Sequence, residues 1–139
     1  MYVEGAAPLV LSDTVGFIRE LPHDLVAAFR ATLKEAAEAD LVLHVIDAAH
    51  PSRDEQAAAV DEVMRQIGAD RVPQIRVLNK IDAAGIEPGM ERDESGILAA
   101  VRLSALTGAG CAELRAALAE RFPAEAAKSD ACAASVLDA

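Results

Sequence analysis

The chain has 139 residues, a formal net charge of −10 at pH 7, 53% apolar residues and only 3% aromatic residues. This length predicts a single domain whose core consists mainly of Leu, Val and Ile. No apolar stretch approaches the roughly 20 residues of a membrane span and no secretion signal is recognisable. We therefore expect a cytoplasmic protein, and the negative charge argues against autonomous binding to nucleic acid, whose phosphates it would repel.

Helix and strand signals alternate along the chain, which is typical of a doubly wound α/β domain with a mostly parallel sheet and helices on both faces. The predicted strands cover residues 9–11, 41–46, 75–78 and 101–103, and the predicted helices cover residues 24–38, 52–67 and 111–122. Ser52 and Glu55 are spaced as a capping box at a helix start. Residues 83–95 predict a loop. The domain is expected to span residues 1–123, followed by a disordered tail at 124–139.

The motif Asn79-Lys80-Ile81-Asp82 directly follows a predicted strand. Guanine presents two adjacent donors, N1–H and the exocyclic amine, and the carboxylate of Asp82 can accept both. Adenine would leave that carboxylate unpaired, a mismatch that sites built on hydrogen bonds reject strongly. In such a site Asn79 would brace the loop and the stem of Lys80 would cover the ring. The motif therefore indicates a guanine nucleotide as ligand, although a lysine-bearing turn is the alternative if it stands alone.

Two further motifs follow strands in the order that a GTPase domain requires. The first is Asp13-Thr14-Val15-Gly16, after the strand at 9–11. The second is Ser104-Ala105-Leu106, which precedes the glycine-rich turn at 108–110. All three motifs lie at carboxyl ends of predicted strands, where open α/β sheets form their ligand crevices. Taken alone, the Asp13 motif is equally well an ordinary strand-to-loop turn, and the Ser104 motif is better explained as an ordinary turn. Their joint order nevertheless favours a GTPase.

The run from Leu11 to Leu33, which begins Leu-Ser-Asp-Thr-Val-Gly-Phe-Ile-Arg-Glu-Leu-Pro, resembles the switch II segment of the HflX family of ribosome-associated GTPases. The resemblance covers roughly residues 2–123 and is poorest over 83–99. It implies a Ras-like fold of the P-loop NTPase class. It also implies GTP and GDP as ligands, Mg²⁺ as cofactor and the large ribosomal subunit as partner.

The resemblance implies a role for each matching residue. Asp13 would act on Mg²⁺ through water, and the amide of Gly16 would face the γ-phosphate, with Thr14 and Val15 in the same switch II motif. The guanine-reading residues would be Asn79, Lys80, Asp82 and Ala105, with Ser104 and Leu106 beside them. Phe17 follows the Asp-x-x-Gly motif, where many GTPases carry a water-orienting glutamine, and the HflX family also has an apolar residue there.

Two parts of the family's domain have no counterpart in the chain. No G-x-x-x-x-G-K-[ST] motif occurs, so the amide cradle for phosphates is missing, and the switch I segment is missing as well. We expect a truncated G domain. Loss of about four charge-assisted hydrogen bonds would cost roughly 6–12 kcal/mol, against about 8 kcal/mol for micromolar affinity. We therefore expect weak or no Mg²⁺-GTP binding and no hydrolysis by this chain alone.

The resemblance also implies a gap in the sheet. In the family, the first strand lies between the strands that match residues 9–12 and 41–46, and this chain lacks it. Its neighbours would face a gap with unpaired backbone groups. They could pair directly, recruit another chain or stay partly molten. The alternative to a GTP-binding fragment is therefore a non-catalytic interaction fragment whose sheet edge pairs with another chain.

For the other titratable residues the sequence predicts structural roles. His44 lies in a strand that is expected to be buried on both faces, so a neutral core histidine is predicted. His50 has no second ligand at metal spacing, so no zinc site is expected. Asp40 and Asp47 are interpreted as residues that mark strand ends. The two cysteines are expected to be reduced thiols.

Overall fold

Six β-strands form one sheet in the computed structural model, which describes residues 3–13, 33–126 and 132–138. The strands are β1 (Leu9–Asp13), β2 (Leu41–Asp47), β3 (Gln74–Asn79), β4 (Gly89–Arg92), β5 (Leu98–Arg102) and β6 (Cys132–Asp138). The helices are α1 (Arg53–Gln66), α2 (Ile81–Ala84) and α3 (Cys111–Arg121), with a 3₁₀ turn at Ala124–Ala126 and helical residues at 33–38. The remainder of the predicted helix 24–38 lies outside the described residues.

The strand order is β1-β6-β2-β3-β5-β4, and every neighbouring pair is parallel except β4 with β5. The sheet is therefore mostly parallel, as the alternating sequence pattern predicts. Two core clusters show that both of its faces are covered. Leu43, Ile75 and Leu118 belong to the cluster on the α3 side, and Val42 and Met64 belong to the cluster on the α1 side. The α/β fold class is confirmed.

The prediction of a disordered tail at 124–139 is wrong for residues 132–138, because these residues form β6. This strand lies between β1 and β2, with Leu11 opposite Ala134 and Leu41 opposite the same residue. Of the three outcomes considered for the gap, none occurs as stated, since the chain fills the gap with its own last strand. The physical reason is that β6 supplies backbone partners to two strands at once and buries Ala134 and Leu137 completely.

Two other local predictions are corrected. Within the predicted loop 83–95, residues Gly89–Arg92 form β4, whose ladder with β5 has an irregularity between Glu91 and Arg92. The capping box at Ser52 does not form, since no side-chain hydrogen bond caps α1. Instead the N–H of Ser52 donates to Nδ1 of His50, at 3.1 Å.

No helix in the described part of the chain is both long and apolar enough to cross a membrane. His44 is completely buried in β2, as predicted.

Candidate functional site

The carboxyl ends of β2 and β3 meet at one edge of the sheet. Asp47 ends β2 and stands in register with Asn79, which ends β3. The N–H of Ala48 donates to the carbonyl oxygen of Asn79 at 2.8 Å, which extends the ladder past the last pair. The loop after β5 joins the same edge, because the N–H of Ile81 donates to the carbonyl oxygen of Leu103 at 3.3 Å. The structure therefore brings two of the three predicted motifs together.

Asn79 fastens these two motifs to each other. Its Oδ1 accepts the N–H of Lys80 at 2.8 Å and the N–H of Ala105 at 3.0 Å. One amide oxygen thus holds both the loop after β3 and the loop after β5, 26 residues further along the chain. Because two donors converge on a single acceptor, the two loops are held next to each other.

Lys80 has a left-handed backbone with a φ of 64°, the only positive φ at a non-glycine residue in the described ranges. Such a conformation costs roughly 1–3 kcal/mol and is observed where surrounding contacts impose it. Its Nζ donates to Oδ2 of Asp47 at 2.6 Å. The hydrogen bond from Lys80 holds the pKa of the Asp47 carboxyl below its ordinary value. The Lys80 side chain therefore runs from the end of β3 to the end of β2.

Asp82 lies in the first turn of α2 and its side chain is exposed. An exposed carboxylate at this edge can accept hydrogen bonds from a ligand at little desolvation cost. Ile81, the residue before Asp82 in this turn, is buried. Asp82 is therefore presented to solvent beside the loop that Asn79 holds in place.

The loop from Ser104 to Gly110 is built around a buried serine. Ser104 is 0% exposed, its N–H donates to the carbonyl oxygen of Ala109 at 2.8 Å, and its Oγ accepts the N–H of Thr107 at 3.2 Å. Gly110 is the N-cap residue that precedes α3, with a φ of 78°, and a Cβ at this position would collide with the carbonyl oxygen of Arg102. Leu106 at the tip is 86% exposed. This loop is therefore hydrogen-bonded at its base and exposed at its tip.

Asp13 ends β1 at the same edge of the sheet, with an exposed side chain. It is separated from the other two motifs by β6, since Asp13 pairs with Val136 and β6 then pairs with β2. The other three residues of its motif, Thr14, Val15 and Gly16, lie outside the described residues. Among the described side chains, no cluster of three or more His, Cys, Asp or Glu residues could hold a metal ion.

Asp47, interpreted from the sequence as a residue marking a strand end, has a further role. The structure shows that its two carboxylate oxygens bind Lys80 and the N–H of Ala49. The sequence does contain a signal for this contact. Asp47 ends one buried strand and Lys80 follows the next, and if these strands are parallel neighbours, the two residues are expected to meet at one edge of the sheet.

Comparison with known proteins identifies the class of protein that carries this edge. The sequence model of the 50S ribosome-binding GTPase family matches residues 1–80, and the chain belongs to that family. The more particular similarity is to proteins named GTPase HflX. The Escherichia coli protein is 52% identical over 120 residues, which are 86% of this chain and 28% of that protein. The Caldanaerobacter subterraneus protein is 54% identical over 86 residues, which are 61% of this chain and 20% of that protein.

These matches confirm the resemblance to the HflX family inferred from the switch II run. The chain spans about a quarter of the length of the Escherichia coli and Lacrimispora saccharolytica relatives, at 28% and 26%. Their names describe those whole proteins.

Proposed function

We propose that the chain recognises a guanine nucleotide at the edge formed by the ends of β3 and β5. The observation that carries this proposal is the pair of hydrogen bonds that Oδ1 of Asn79 accepts from the N–H groups of Lys80 and Ala105. These bonds join the two loops beside the exposed carboxylate of Asp82. Asp82 would accept N1–H and the exocyclic amine of guanine, and the Lys80 stem would cover one face of the ring. Ser104 and Leu106 would shape the opposite loop.

The phosphates would extend from this base site toward Asp13. We propose that Thr14, Val15 and Gly16 contribute to phosphate binding there and that Asp13 acts on Mg²⁺ through water. An exposed carboxylate is a suitable hard oxygen donor for Mg²⁺, which in nucleotide sites is held by one or two carboxylates together with substrate phosphates. When bound, Mg²⁺ would neutralise phosphate charge. GTP hydrolysis, contact with the large ribosomal subunit and a cytoplasmic location are proposals that rest on the family alone.

The test is equilibrium binding of GTP, GDP and ATP in Mg²⁺ buffer, combined with a thermal melt of the same samples. Saturable binding of GTP and GDP without binding of ATP supports base recognition. A cooperative melt without guanine-selective binding contradicts it.

The variant Asp82→Asn sharpens this test. The amide donates to the second carbonyl of xanthine and accepts its N1–H, whereas it cannot accept both donors of guanine. We expect Asp82→Asn to lose GDP binding and to gain binding of xanthosine diphosphate. Loss of both ligands in a folded variant would argue against direct contact between Asp82 and the base.

A second candidate function is strand-mediated association, and the exposure of β1 favours it. Val10 is 52% exposed and Leu11 is 42% exposed, on opposite faces of a strand at the edge of the described sheet. Exposed apolar edge strands pair readily with other chains. Sedimentation of the wild-type chain and of Val10→Lys over a range of concentrations tests this function, since the lysine should abolish any association.

A further inference from the structure

The ion pair between Asp47 and Lys80 links two strand ends at the proposed base site. Asp47 Oδ1 accepts the N–H of Ala49 at 3.0 Å and Asp47 Oδ2 accepts Nζ of Lys80 at 2.6 Å. The side chain of Asp47 is 26% exposed and that of Lys80 is 58% exposed. Asp47 is thus the less exposed partner. One of its carboxylate oxygens accepts a hydrogen bond from its own loop and the other accepts one from the lysine.

Both the backbone N–H and the side-chain ammonium group of Lys80 are hydrogen-bonded. Its backbone N–H donates to Oδ1 of Asn79 at 2.8 Å, and its ammonium group donates to Asp47. Between these two points lie the four methylenes of the side chain. A lysine stem on a protein surface ordinarily samples many rotamers, and ordering such a stem on ligand binding reduces affinity. Here the stem is already ordered by Asp47.

We propose that Asp47 is a positioning residue for base recognition, which holds the Lys80 stem across the ends of β3 and β2 as a preformed platform for the guanine ring. This inference rests on the proposed function and adds to it a residue outside the three motifs. Asp47 does not touch the base. It acts through Lys80, whose stem covers the ring while Asp82 accepts the ring's donors.

A purely structural role for Asp47 would give a different result. A structural role would make removal of the pair lower the melting temperature. Surface ion pairs contribute little to stability, so we expect removal of this pair to leave the melting temperature nearly unchanged. Preorganisation of a stem contributes to binding instead. A loss of affinity at constant stability therefore distinguishes positioning from structural support.

The experiment measures GDP affinity and thermal stability of the full chain for Asp47→Asn, Lys80→Met and the double variant. Asparagine keeps the shape and the acceptor for Ala49, and methionine keeps an unbranched apolar stem. We expect each single variant to weaken GDP binding by about three- to tenfold with an unchanged melting temperature. We expect the double variant to bind as weakly as either single variant, because both remove the same interaction.

The matched control is Asp61→Asn. Asp61 pairs with Arg76 at 2.9 Å between α1 and β3, so this variant also removes an exposed ion pair but one away from the strand ends. It should leave GDP affinity unchanged.

The outcomes separate the two proposals. If the wild-type chain shows no guanine-selective binding, the proposed function fails and the role of Asp47 fails with it. If the wild-type chain binds GDP and Asp47→Asn binds equally well, or if the losses from the single variants add in the double variant, only the positioning role is overturned.

Discussion

His44 is buried without compensation for its polar atoms in the described structure. It is 0% exposed, and neither ring nitrogen has a hydrogen-bond partner. Burial lowers the pKa of His44 from 6.5 to about 4, while the nearby Asp61 raises this pKa and Arg76 lowers it. The folded chain therefore keeps His44 neutral at pH values where the unfolded chain protonates it.

The sign of the resulting pH dependence follows from proton uptake. Between pH 6.5 and about 4 the unfolded state binds one more proton at His44, so the free energy of unfolding falls by about 1.4 kcal/mol per pH unit as pH decreases. The total is roughly 3 kcal/mol. We expect His44→Leu to lose this slope and to be at least as stable as the wild type at pH 7, since it removes two unpaired buried nitrogens.

Urea unfolding of both proteins at several pH values between 7 and 4 provides the measurement. Carboxylates titrate at the lower end of this range in both chains, so the difference between the two curves isolates His44. Parallel curves would contradict the assignment of a depressed pKa to this residue.

Two glycines of the Ser104 loop give a second prediction at the residue scale. Gly108 and Gly110 both have positive φ, at 83° and 78°. A Cβ at Gly108 has nothing within 4 Å, whereas a Cβ at Gly110 would collide with the carbonyl oxygen of Arg102 and with Leu103. Gly108→Ala should cost about 1–2 kcal/mol of stability from backbone strain alone. Gly110→Ala should cost about 1–3 kcal/mol more.

Thermal melts of the two variants compare the same substitution at nearly the same φ. Because Gly110 lies at the base of the loop that Asn79 holds, we also expect Gly110→Ala to weaken guanine binding more than Gly108→Ala. Equal melting temperatures would show that the Arg102 backbone moves aside at little cost.

At the scale of elements, β6 determines whether the sheet is continuous. Within the described residues, β1 pairs with no strand other than β6. The start of β6 is held on both sides: Cys132 N–H donates to the carbonyl oxygen of Pro8 at 3.1 Å, and Ala133 N–H donates to Oδ2 of Asp40 at 2.9 Å. The N–H of Asp40 returns a bond to the carbonyl oxygen of Ala133, also at 2.9 Å. Asp40, interpreted from sequence as a residue marking a strand end, therefore anchors β6.

Ser135 lies at the middle of β6 and offers two opposite substitutions. Its Oγ is buried without a hydrogen-bond partner, and burying an unsatisfied polar group costs roughly 1–3 kcal/mol. Ser135→Ala should therefore raise stability by about 1 kcal/mol. Ser135→Pro removes a ladder donor from a central strand and should detach β1 from the rest of the sheet.

Hydrogen exchange measures the protection of β1 separately from that of β3 and β5. In Ser135→Pro we expect the amides of β1 to lose protection while those of β3 and β5 keep theirs, since the latter strands pair with each other. Ser135→Ala is the matched control, because it keeps the backbone ladder. Retained protection of β1 in the proline variant would contradict the role of β6 as the strand that joins the two parts.

The contrast between β2 and β6 shows which elements a sequence can predict. The run Leu41–Ile46 is apolar and rich in β-branched residues, so its strand is evident locally. The run Cys132–Asp138 contains two alanines and a serine, which have weak strand preference, and only the gap between β1 and β2 makes it a strand. Nothing local to the run describes that gap.

The candidate site divides in the same way. Asn79, Lys80, Asp82 and Ala105 could be predicted because their chemistry is contained in short motifs that follow strands. The position of Asp47 at a strand end predicts the sheet edge on which it lies, but not its contact with Lys80, since that contact depends on the register of β2 against β3, in which Asp47 stands opposite Asn79.

At the scale of the whole molecule, net charge opposes compactness. The sequence has 23 acidic residues against 13 Lys and Arg, giving a formal charge of −10. A large net charge destabilises the compact state through self-repulsion. Most of the described ion pairs are exposed, as with Lys34 and Glu38 at 73% and 68%, so they offset little of this repulsion.

Salt should therefore stabilise the fold. The Debye length falls from about 30 Å at 0.01 M salt to about 8 Å at 0.15 M. The first value is longer than the radius of a domain of this size, and the second is shorter. We expect the melting temperature at pH 7 to rise by about 2–5 °C over this range, equivalent to about 1 kcal/mol for a chain of this size. NaCl and KCl should act equally, because screening depends on ionic strength.

Repeating the measurement at a second pH distinguishes screening of charge repulsion from other effects of salt. Near the sequence pI of about 4.6 the net charge is close to zero, so self-repulsion disappears and screening can only weaken the remaining attractive ion pairs, including Arg92 with Glu120 at 2.7 Å. Salt should then leave the melting temperature unchanged or lower it. A rise of equal size at both pH values would instead indicate preferential exclusion of salt from the protein surface, and the charge imbalance would not be the term that limits the stability of this domain.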